Sequence, residues 1–185
     1  KMKTNFLLLI MILSLGLNAN AQSFDNLWKD VDVNLKNDLP ESAEISLNKI
    51  EQKAIKENNQ KGLLKTFLYR FKIFSLHDEN PIETSIKFAE ENIGKLQEPE
   101  KSIFNIAIAS LYETYLNENL YNINNQQIIS NGQQPDMKFW SKTTFEKVID
   151  QYCENALSDI ESLQRNTTQS YQDILLPFCV EHSYP

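Results

Sequence analysis

Apolar residues recur about once per helical turn along most of this chain, and no segment alternates apolar with polar residues over a useful length. Spacings of three and four residues are typical of amphipathic helices. The first such pattern covers Phe24 to Lys36, with Ser23 as N-cap, and the second begins at Pro40, a residue favoured at the first helical position. We therefore predict an all-α fold that opens with an antiparallel helical hairpin.

Three further helices are predicted before residue 122. The third spans about Gly62 to Leu76, and its wide apolar face predicts contacts on two sides. The fourth begins at Pro81, with Asn80 and Glu83 in a capping-box arrangement. The fifth follows Pro99, and we predict it to be the most buried because small alanines among large side chains permit close approach.

An amide-rich stretch over about residues 122–136 interrupts this pattern. It has no sustained period, so we predict a mobile surface loop, with partner binding as a less favoured role. The sixth helix is predicted from about Lys142 to Leu163, where Phe145 and Ile160 belong to the most regular apolar stripe in the chain.

The predicted hairpins start near residues 24, 61, 100 and 141, at spacings of 37, 39 and 41 residues. This period is typical of stacked helical repeats, between the tetratricopeptide (TPR) and HEAT lengths. We predict a helical-repeat domain over residues 22–165, built as a short TPR/HEAT-like α-solenoid. Residues 166–185 begin another apolar segment without a polar cap, which we interpret as incomplete and truncated from a longer chain.

Residues 1–21 have the pattern of a secretory signal peptide. Lys1 and Lys3 precede an apolar run from Phe6 to Leu17, and Ala19 and Ala21 mark a small-residue cleavage site. That run is shorter than the roughly 20 residues needed to span a bilayer, which disfavours an uncleaved membrane anchor. We therefore expect an exported protein with no transmembrane segment after signal removal.

The net charge of the chain indicates which classes of partner it can bind. The chain has 18 basic and 25 acidic residues, and loss of Lys1 and Lys3 with the signal would change the net charge from −7 to −9. Nucleic-acid binding depends on clustered Lys and Arg, and the sequence has no basic patch. We therefore expect a protein partner and no nucleic acid.

The sequence shows no recognisable catalytic, metal or cofactor motif. His77 and His182 are too few and too far apart for a zinc site of local spacing. Cys153 lies in mid-helix, away from the helix N-terminus that would activate a thiol. Cys153 and Cys179 are compatible with a disulfide or with two separate thiols. We predict a non-enzymatic protein with no catalytic residue, no metal and no cofactor.

Aromatic residues at helical spacing, Tyr112 and Trp140 among them, are more typical of a core than of a peptide groove. Tyr69 and Tyr121 lie off the main apolar stripes, so we predict these two as the better candidates for a partner groove. The acidic pairs Asp78-Glu79 and Glu90-Glu91 are interpreted as solvated helix faces or caps.

Several segments together resemble a known family. They are "LWKDVDVNLKNDLPESAEISLNKIEQKAIKENN", "LLKTFLYRFKI", "SLYETYLNENLY" and "DMKFWSKTTFEKVIDQYCENAL", after a signal that ends in Ala-Gln. Over roughly residues 22–165 the chain is similar to the N-terminal helical region of Bacteroidetes-type bacterial alpha-2-macroglobulin-like proteins. The resemblance implies a protein exported to the periplasm, or to the cell envelope or surface, of a Gram-negative bacterium.

In the wider family, cleavage of a bait segment triggers a conformational trap for proteases, often with a thioester. This chain contains no Cys-x-Glu-Gln thioester sequence, so the resemblance implies protease inhibition for the parent protein alone. It implies a non-catalytic scaffold or docking module here, whose partners are proteins or downstream domains of the parent chain. The alternative is a stand-alone exported TPR-like adaptor that binds a peptide or an envelope protein.

Overall fold

A computed structural model describes residues 23–125 and 136–175. Regular structure in these ranges is helical, without strands, as the apolar periodicity predicts. The α-helices are α1 (Phe24–Lys36), α2 (Pro40–Lys56), α3 (Gln60–His77), α4 (Pro81–Asn92), α5 (Glu100–Asn125), α6 (Lys142–Ala156), α7 (Ile160–Arg165) and α8 (Gln172–Leu175). Short 3₁₀ turns cover Ile93–Lys95, Met137–Phe139 and Thr168–Tyr171.

Helices α1 to α6 pack in sequence, each mainly against the next one in the chain. In addition, α3 contacts α5, and α8 returns to contact α3. Short connections make neighbouring helices antiparallel, and each then buries one face against the next. The prediction of an all-α fold of helices packed against one another is confirmed.

The first three helices are joined by two turns of the same geometry. Asp38 and Asn58 have positive φ angles of 57° and 51°, in the left-handed region that Asp and Asn tolerate better than most residues. In both turns the amide of the following residue donates to the carbonyl oxygen five residues earlier. The same local hydrogen bonds therefore reverse the chain twice.

Two apolar clusters form the core. The first cluster lies between α1, α2 and α3 and contains Leu27, Val31, Ala43, Leu47, Ile50, Tyr69 and Ile73. The second cluster is larger and extends from the end of α2 to α8, with Phe67, Phe104 and Phe145 fully buried. The stripes predicted for the first two helices are thus the faces that the structure buries.

The described part of the C-terminal segment folds back onto the stack. Tyr171 and Ile174 are buried in the second cluster. The Tyr171 hydroxyl donates to Glu100 Oε1 at 2.8 Å, and Lys61 Nζ lies 4.7 Å from the centroid of the Tyr171 ring. This segment therefore covers the first turns of α3 and α5.

The continuous sixth helix predicted to Leu163 is wrong. Helix α6 ends at Ala156, and α7 starts after Asp159, whose side chain accepts a hydrogen bond from the Ser162 amide. Ile160, predicted to lie on the buried stripe, is 48% exposed. The local cap at Asp159 therefore prevails over the apolar periodicity.

The predicted capping box at α4 is also wrong. The Asn80 side chain makes no capping hydrogen bond. Instead, Asp78 Oδ1 accepts a hydrogen bond from the Asn80 amide at 2.8 Å. The turn before α4 is therefore held by the preceding acid.

Several predictions fall on residues outside the described ranges. Helix α5 continues to Asn125, so residues 122–125 of the predicted loop are helical. Residues 126–135 of that prediction lie outside the described ranges. The signal at residues 1–21 is outside as well, and so are Cys179 and His182, while Cys153 is a half-buried free thiol. Among the described helices, none combines the length and apolar character needed to cross a membrane.

Candidate functional site

A cavity of about 460 Å³ lies between α4, α5 and the segment that leads into α6. Tyr112 and Trp140 provide its aromatic lining. Its charged lining consists of four carboxylates and one lysine: Asp78, Glu83, Glu90, Asp136 and Lys87. We call it the acidic cavity.

One face of α4 supplies most of the charged groups. Glu83, Lys87 and Glu90 follow one another at intervals of four and three residues, which places them on the same side of a helix. Ile86, which also lines the cavity, is buried in the second cluster. Packing of the apolar positions of α4 therefore orients its charged positions toward the cavity.

Tyr112 belongs to a column of stacked rings. Its ring centroid lies 5.8 Å from that of Trp140, at an interplanar angle of 12°, and 5.8 Å from that of Tyr152, at 21°. Phe145 is fully buried and lies 5.2 Å from Trp140. Such ring pairs contribute about 0.5–1.5 kcal/mol beyond their buried area. Contacts with neighbouring rings therefore stabilise the aromatic residues that line the cavity.

Glu90 is anchored by two phenols. Its Oε1 accepts hydrogen bonds from the hydroxyls of Tyr112 at 2.6 Å and Tyr152 at 3.1 Å. Burial, and then the hydrogen bond and negative charge of Glu90, raise the pKa of both phenols above the ordinary value. Both hydroxyls therefore stay protonated and hold the carboxylate in place.

The other carboxylates of the acidic cavity also have fixed partners. Glu83 Oε2 lies 3.3 Å from Lys138 Nζ. Asp136 Oδ1 accepts from the Lys138 amide at 3.0 Å, and Asp78 Oδ1 accepts from the Asn80 amide. Since these partners are mainly neutral donors, the cavity keeps an excess of negative charge. Carboxylates and aromatic faces both attract cations.

A second cavity, of about 560 Å³, lies on the other side of the first turn of α4. Both cavities are lined by Asn80 and Glu83, so this turn separates them. The lining of the second is mixed: Phe71, Ile82 and Leu111 lie beside the carboxylates Glu79, Glu83 and Glu118. We call it the second cavity.

A buried ion network lies apart from these cavities and joins α2, α3 and the turn after α4. Arg70 Nη2 donates to Glu51 Oε2 and Asn48 Oδ1, both at 2.7 Å, and Lys95 Nζ lies 3.0 Å from Glu51 Oε1. Burial raises the pKa of Glu51, but the hydrogen bonds from Lys95 and Arg70 outweigh it and hold that pKa below its ordinary value. This network positions helices.

The two tyrosines predicted for a partner groove are not brought together. Tyr69 is 7% exposed and belongs to the first cluster, with its ring centroid 5.0 Å from that of Trp28. Tyr121 is 81% exposed on α5. Neither lines the acidic cavity or the second cavity, and a partner-binding role for them stays a prediction.

The sequence did not bring the residues of the acidic cavity together. Asp78 and Glu90 were expected on solvated faces or caps, and the structure agrees, since Asp78 is the C-cap of α3 and Glu90 is exposed on α4. Their position in one cavity, and the hydrogen bonds of Glu90 with two phenols, were not predicted. The charged positions of α4 at helical spacing were the available signal. That spacing identifies a shared face but not the aromatic residues opposite it.

Within residues 23–125 and 136–175, no group of three or more His, Cys, Asp or Glu side chains is arranged to hold a metal ion. No protein-family model, curated protein or solved structure matches this chain. The resemblance to alpha-2-macroglobulin-like proteins therefore remains a prediction.

Proposed function

We propose that this chain is a non-catalytic helical docking module at the N-terminus of an exported alpha-2-macroglobulin-like, protease-trapping protein. The observation that supports it most is the sequential packing of α1 to α6, each helix mainly against the next. Contacts between neighbours are the building principle of helical-repeat scaffolds, which present extended surfaces to partners. A scaffold of this kind needs no reactive residue.

The spacing of the helices supports a short TPR/HEAT-like solenoid. Helices α1, α3 and α5, the first members of successive pairs, begin at residues 24, 60 and 100, which are 36 and 40 residues apart. Helix α6 packs on α5 as the second member of its pair, so it does not start the fourth hairpin that was predicted near residue 141. Intervals of this size are typical of stacked helix pairs. The fold-back of Tyr171 and Ile174 is the feature that a plain solenoid does not explain.

The test of this proposal is to sequence the reading frame beyond Pro185 and to produce what it encodes. We expect β-sandwich domains of the macroglobulin type, and we expect them to associate with the separately purified chain in analytical ultracentrifugation. A stop codon directly after Pro185 would overturn the assignment to a larger parent.

A stand-alone exported adaptor is the second proposal. It is supported by the two cavities on either side of the first turn of α4, each of which offers room for a side chain of a polypeptide partner. The same reading-frame experiment separates the two proposals, because only the adaptor is compatible with an immediate stop.

Export is common to both proposals. It is supported by the basic start, the apolar run and the small-residue cleavage site of residues 1–21. Mass spectrometry of the protein recovered from the periplasm should place the N-terminus at Gln22. An uncleaved chain that stays in the cytoplasm would contradict the proposed export.

A further inference from the structure

A third cavity, of about 380 Å³, lies between the first turns of α5, the turn that precedes α5 and the end of α6. Asn155 and Ser158, which line it from the end of α6, are exposed and mark its mouth. Lys101 and Glu98 are half-buried in its wall, and Asn105, 2% exposed, lies at its floor. The volume is within the range of ligand pockets, about 300–1,000 Å³.

The buried amide of Asn105 points to an occupant. Its Nδ2 donates to the Lys101 carbonyl oxygen at 3.0 Å. This bond fixes the orientation of the amide, because the reverse orientation would bring two acceptors together. Within residues 23–125 and 136–175, no donor bonds to the remaining Oδ1. Buried polar atoms are nearly always hydrogen-bonded, and an acceptor without a partner is destabilising. A ligand that brings an N–H donor to the floor of the cavity would satisfy this atom.

Lys101 supplies a positive charge on the same side of α5. It precedes Asn105 by four residues, so the two side chains are neighbours on the helix surface. Among the described residues the Lys101 ammonium has no ion-pair partner. Glu98 also lines the cavity, but its Oε2 accepts from the amide of Ser102 at 3.0 Å and from the Ser102 hydroxyl at 2.6 Å. The ammonium is therefore available to an anionic ligand.

These two groups define the chemistry of the ligand. Asn105 Oδ1 requires an N–H donor, and Lys101 requires a negative charge. A carboxylate with an N–H on the adjacent carbon carries both, and the long, flexible lysine side chain can reach the carboxylate while the N–H contacts Asn105. A second negative charge on the ligand would be repelled by Glu98, which favours a monocarboxylate.

We infer that the third cavity binds an α-amino carboxylate, with its N–H donating to Asn105 Oδ1 and its carboxylate paired with Lys101. Two sources share this chemistry, the C-terminal residue of a polypeptide and a free amino acid. The inference goes beyond the proposed docking function and does not rest on it, since it stands on this cavity alone.

The probes separate the two groups of the ligand and its two sources. N-acetyl-alanine has the carboxylate and the amide N–H of a polypeptide C-terminus, and free alanine represents the second source. N-acetyl-alaninamide lacks the carboxylate, and O-acetyl-lactate has an ester oxygen in place of the N–H. Binding to the purified chain is measured by ¹H–¹⁵N NMR titration, with the side-chain amide of Asn105 as reporter. We expect N-acetyl-alanine or alanine to shift this signal, and the tighter of the two identifies the source.

Each analogue should bind about 5-fold or more weakly than N-acetyl-alanine if that probe is the tighter one, because each lacks one of the two polar contacts. If alanine is the tighter one, alaninamide and lactate take the place of the two analogues.

Two variants test the residues that make these contacts. Lys101→Gln removes the charge and should weaken the tighter probe about 5-fold. Lys147→Gln is the matched control, because Lys147 is exposed on α6 and does not line the cavity, and its affinity should stay within about twofold of the parent. Asn105→Leu removes Oδ1 and should abolish binding. Circular dichroism melts show whether each variant is folded.

Three outcomes would overturn the inference. The first is no shift at Asn105 with either N-acetyl-alanine or alanine. The second, measured on the parent chain, is equal binding of the tighter probe and either of its analogues. The third is a folded Lys101→Gln or Asn105→Leu variant that binds as tightly as the parent. None of them bears on the docking function, which has its own test with the downstream domains.

Discussion

The two ends of the stack bury their helices in different ways. Between α1 and α3 the contacts are largely aliphatic, and α2 buries six side chains along its 17 residues. From α4 to α6 the buried residues include four aromatic rings, those of Phe104, Tyr112, Tyr115 and Phe145. Helix α6 buries only Phe145 and Ala156 along its 15 residues.

This difference concerns how tightly each end is packed. Aliphatic side chains interdigitate at high density, which leaves little room for a ligand. Flat rings pack in stacked and tilted pairs, and the column of Tyr112, Trp140 and Tyr152 stands beside the acidic cavity. We interpret the first end as the support and the second as the contact surface.

The largest loss of stability is expected at Phe145, the aromatic residue that α6 buries. Phe145→Ala should lower the free energy of unfolding by about 3–5 kcal/mol, because the ring is fully buried and contacts Trp140 and Tyr115. Urea unfolding followed by circular dichroism measures it. Phe139→Ala, at a residue 59% exposed just before α6, should change this energy by about 0.5 kcal/mol or less. Equal losses of stability in Phe145→Ala and Phe139→Ala would show that the ring contacts of Phe145 do not stabilise the packing of α6.

The aliphatic end should respond less to any one substitution. Leu47→Ala is expected to cost about 3 kcal/mol, because its fully buried side chain has other aliphatic neighbours that share the contact. The same urea titration applies, with Ile45→Ala as control on α2, where the side chain is 58% exposed. A loss larger than that of Phe145→Ala would reverse the comparison.

The ion network makes the aliphatic end sensitive to acid. The pKa of Glu51 is lowered in the folded chain, so its contribution is complete above the ordinary carboxyl pKa and is lost as pH falls through the lowered value. Glu51→Gln should cost about 1–2 kcal/mol at pH 7, and the difference from the parent should shrink as pH falls from 5 to 3.

Thermal melts across that pH range measure the effect of Glu51→Gln. Glu41→Gln is the control, because Glu41 is exposed in the first turn of the same helix. A difference between parent and Glu51→Gln that stays constant with pH would show that the network does not depend on ionised Glu51.

The smallest effect is expected at Tyr121. Its side chain is 81% exposed, so Tyr121→Ala should change the free energy of unfolding by about 0.5 kcal/mol or less. Urea unfolding followed by circular dichroism measures this change as well. A clearly larger loss would contradict a ring that lies in solvent.

Local signals explain which parts of the fold the sequence could predict. The bounds of α1 were predicted correctly because the cap and the stripe agree: Ser23 Oγ accepts from the Asn26 amide at 3.3 Å, and Leu27 and Val31 are buried. At α6 the two signals disagree. The stripe continues past Ala156, but the Asp159 cap starts a new helix.

The site could be predicted only in part, because its residues are distant in the sequence. Glu90 meets hydroxyls on Tyr112 and Tyr152, which are 22 and 62 residues away. Periodicity identifies the face on which Glu90 lies but not the helix that this face meets. Buried Arg70 was missed for the same reason, since its partners Glu51 and Asn48 belong to the preceding helix.

The two matched turns at Asp38 and Asn58 also bear on the speed of folding. Each reversal is closed by hydrogen bonds within a few residues, and the helices that it joins are each other's main contacts. Chains dominated by such short-range contacts avoid the entropic cost of closing long loops and fold in microseconds to milliseconds. We therefore expect the first three helices to assemble rapidly and to serve as the template for those that follow.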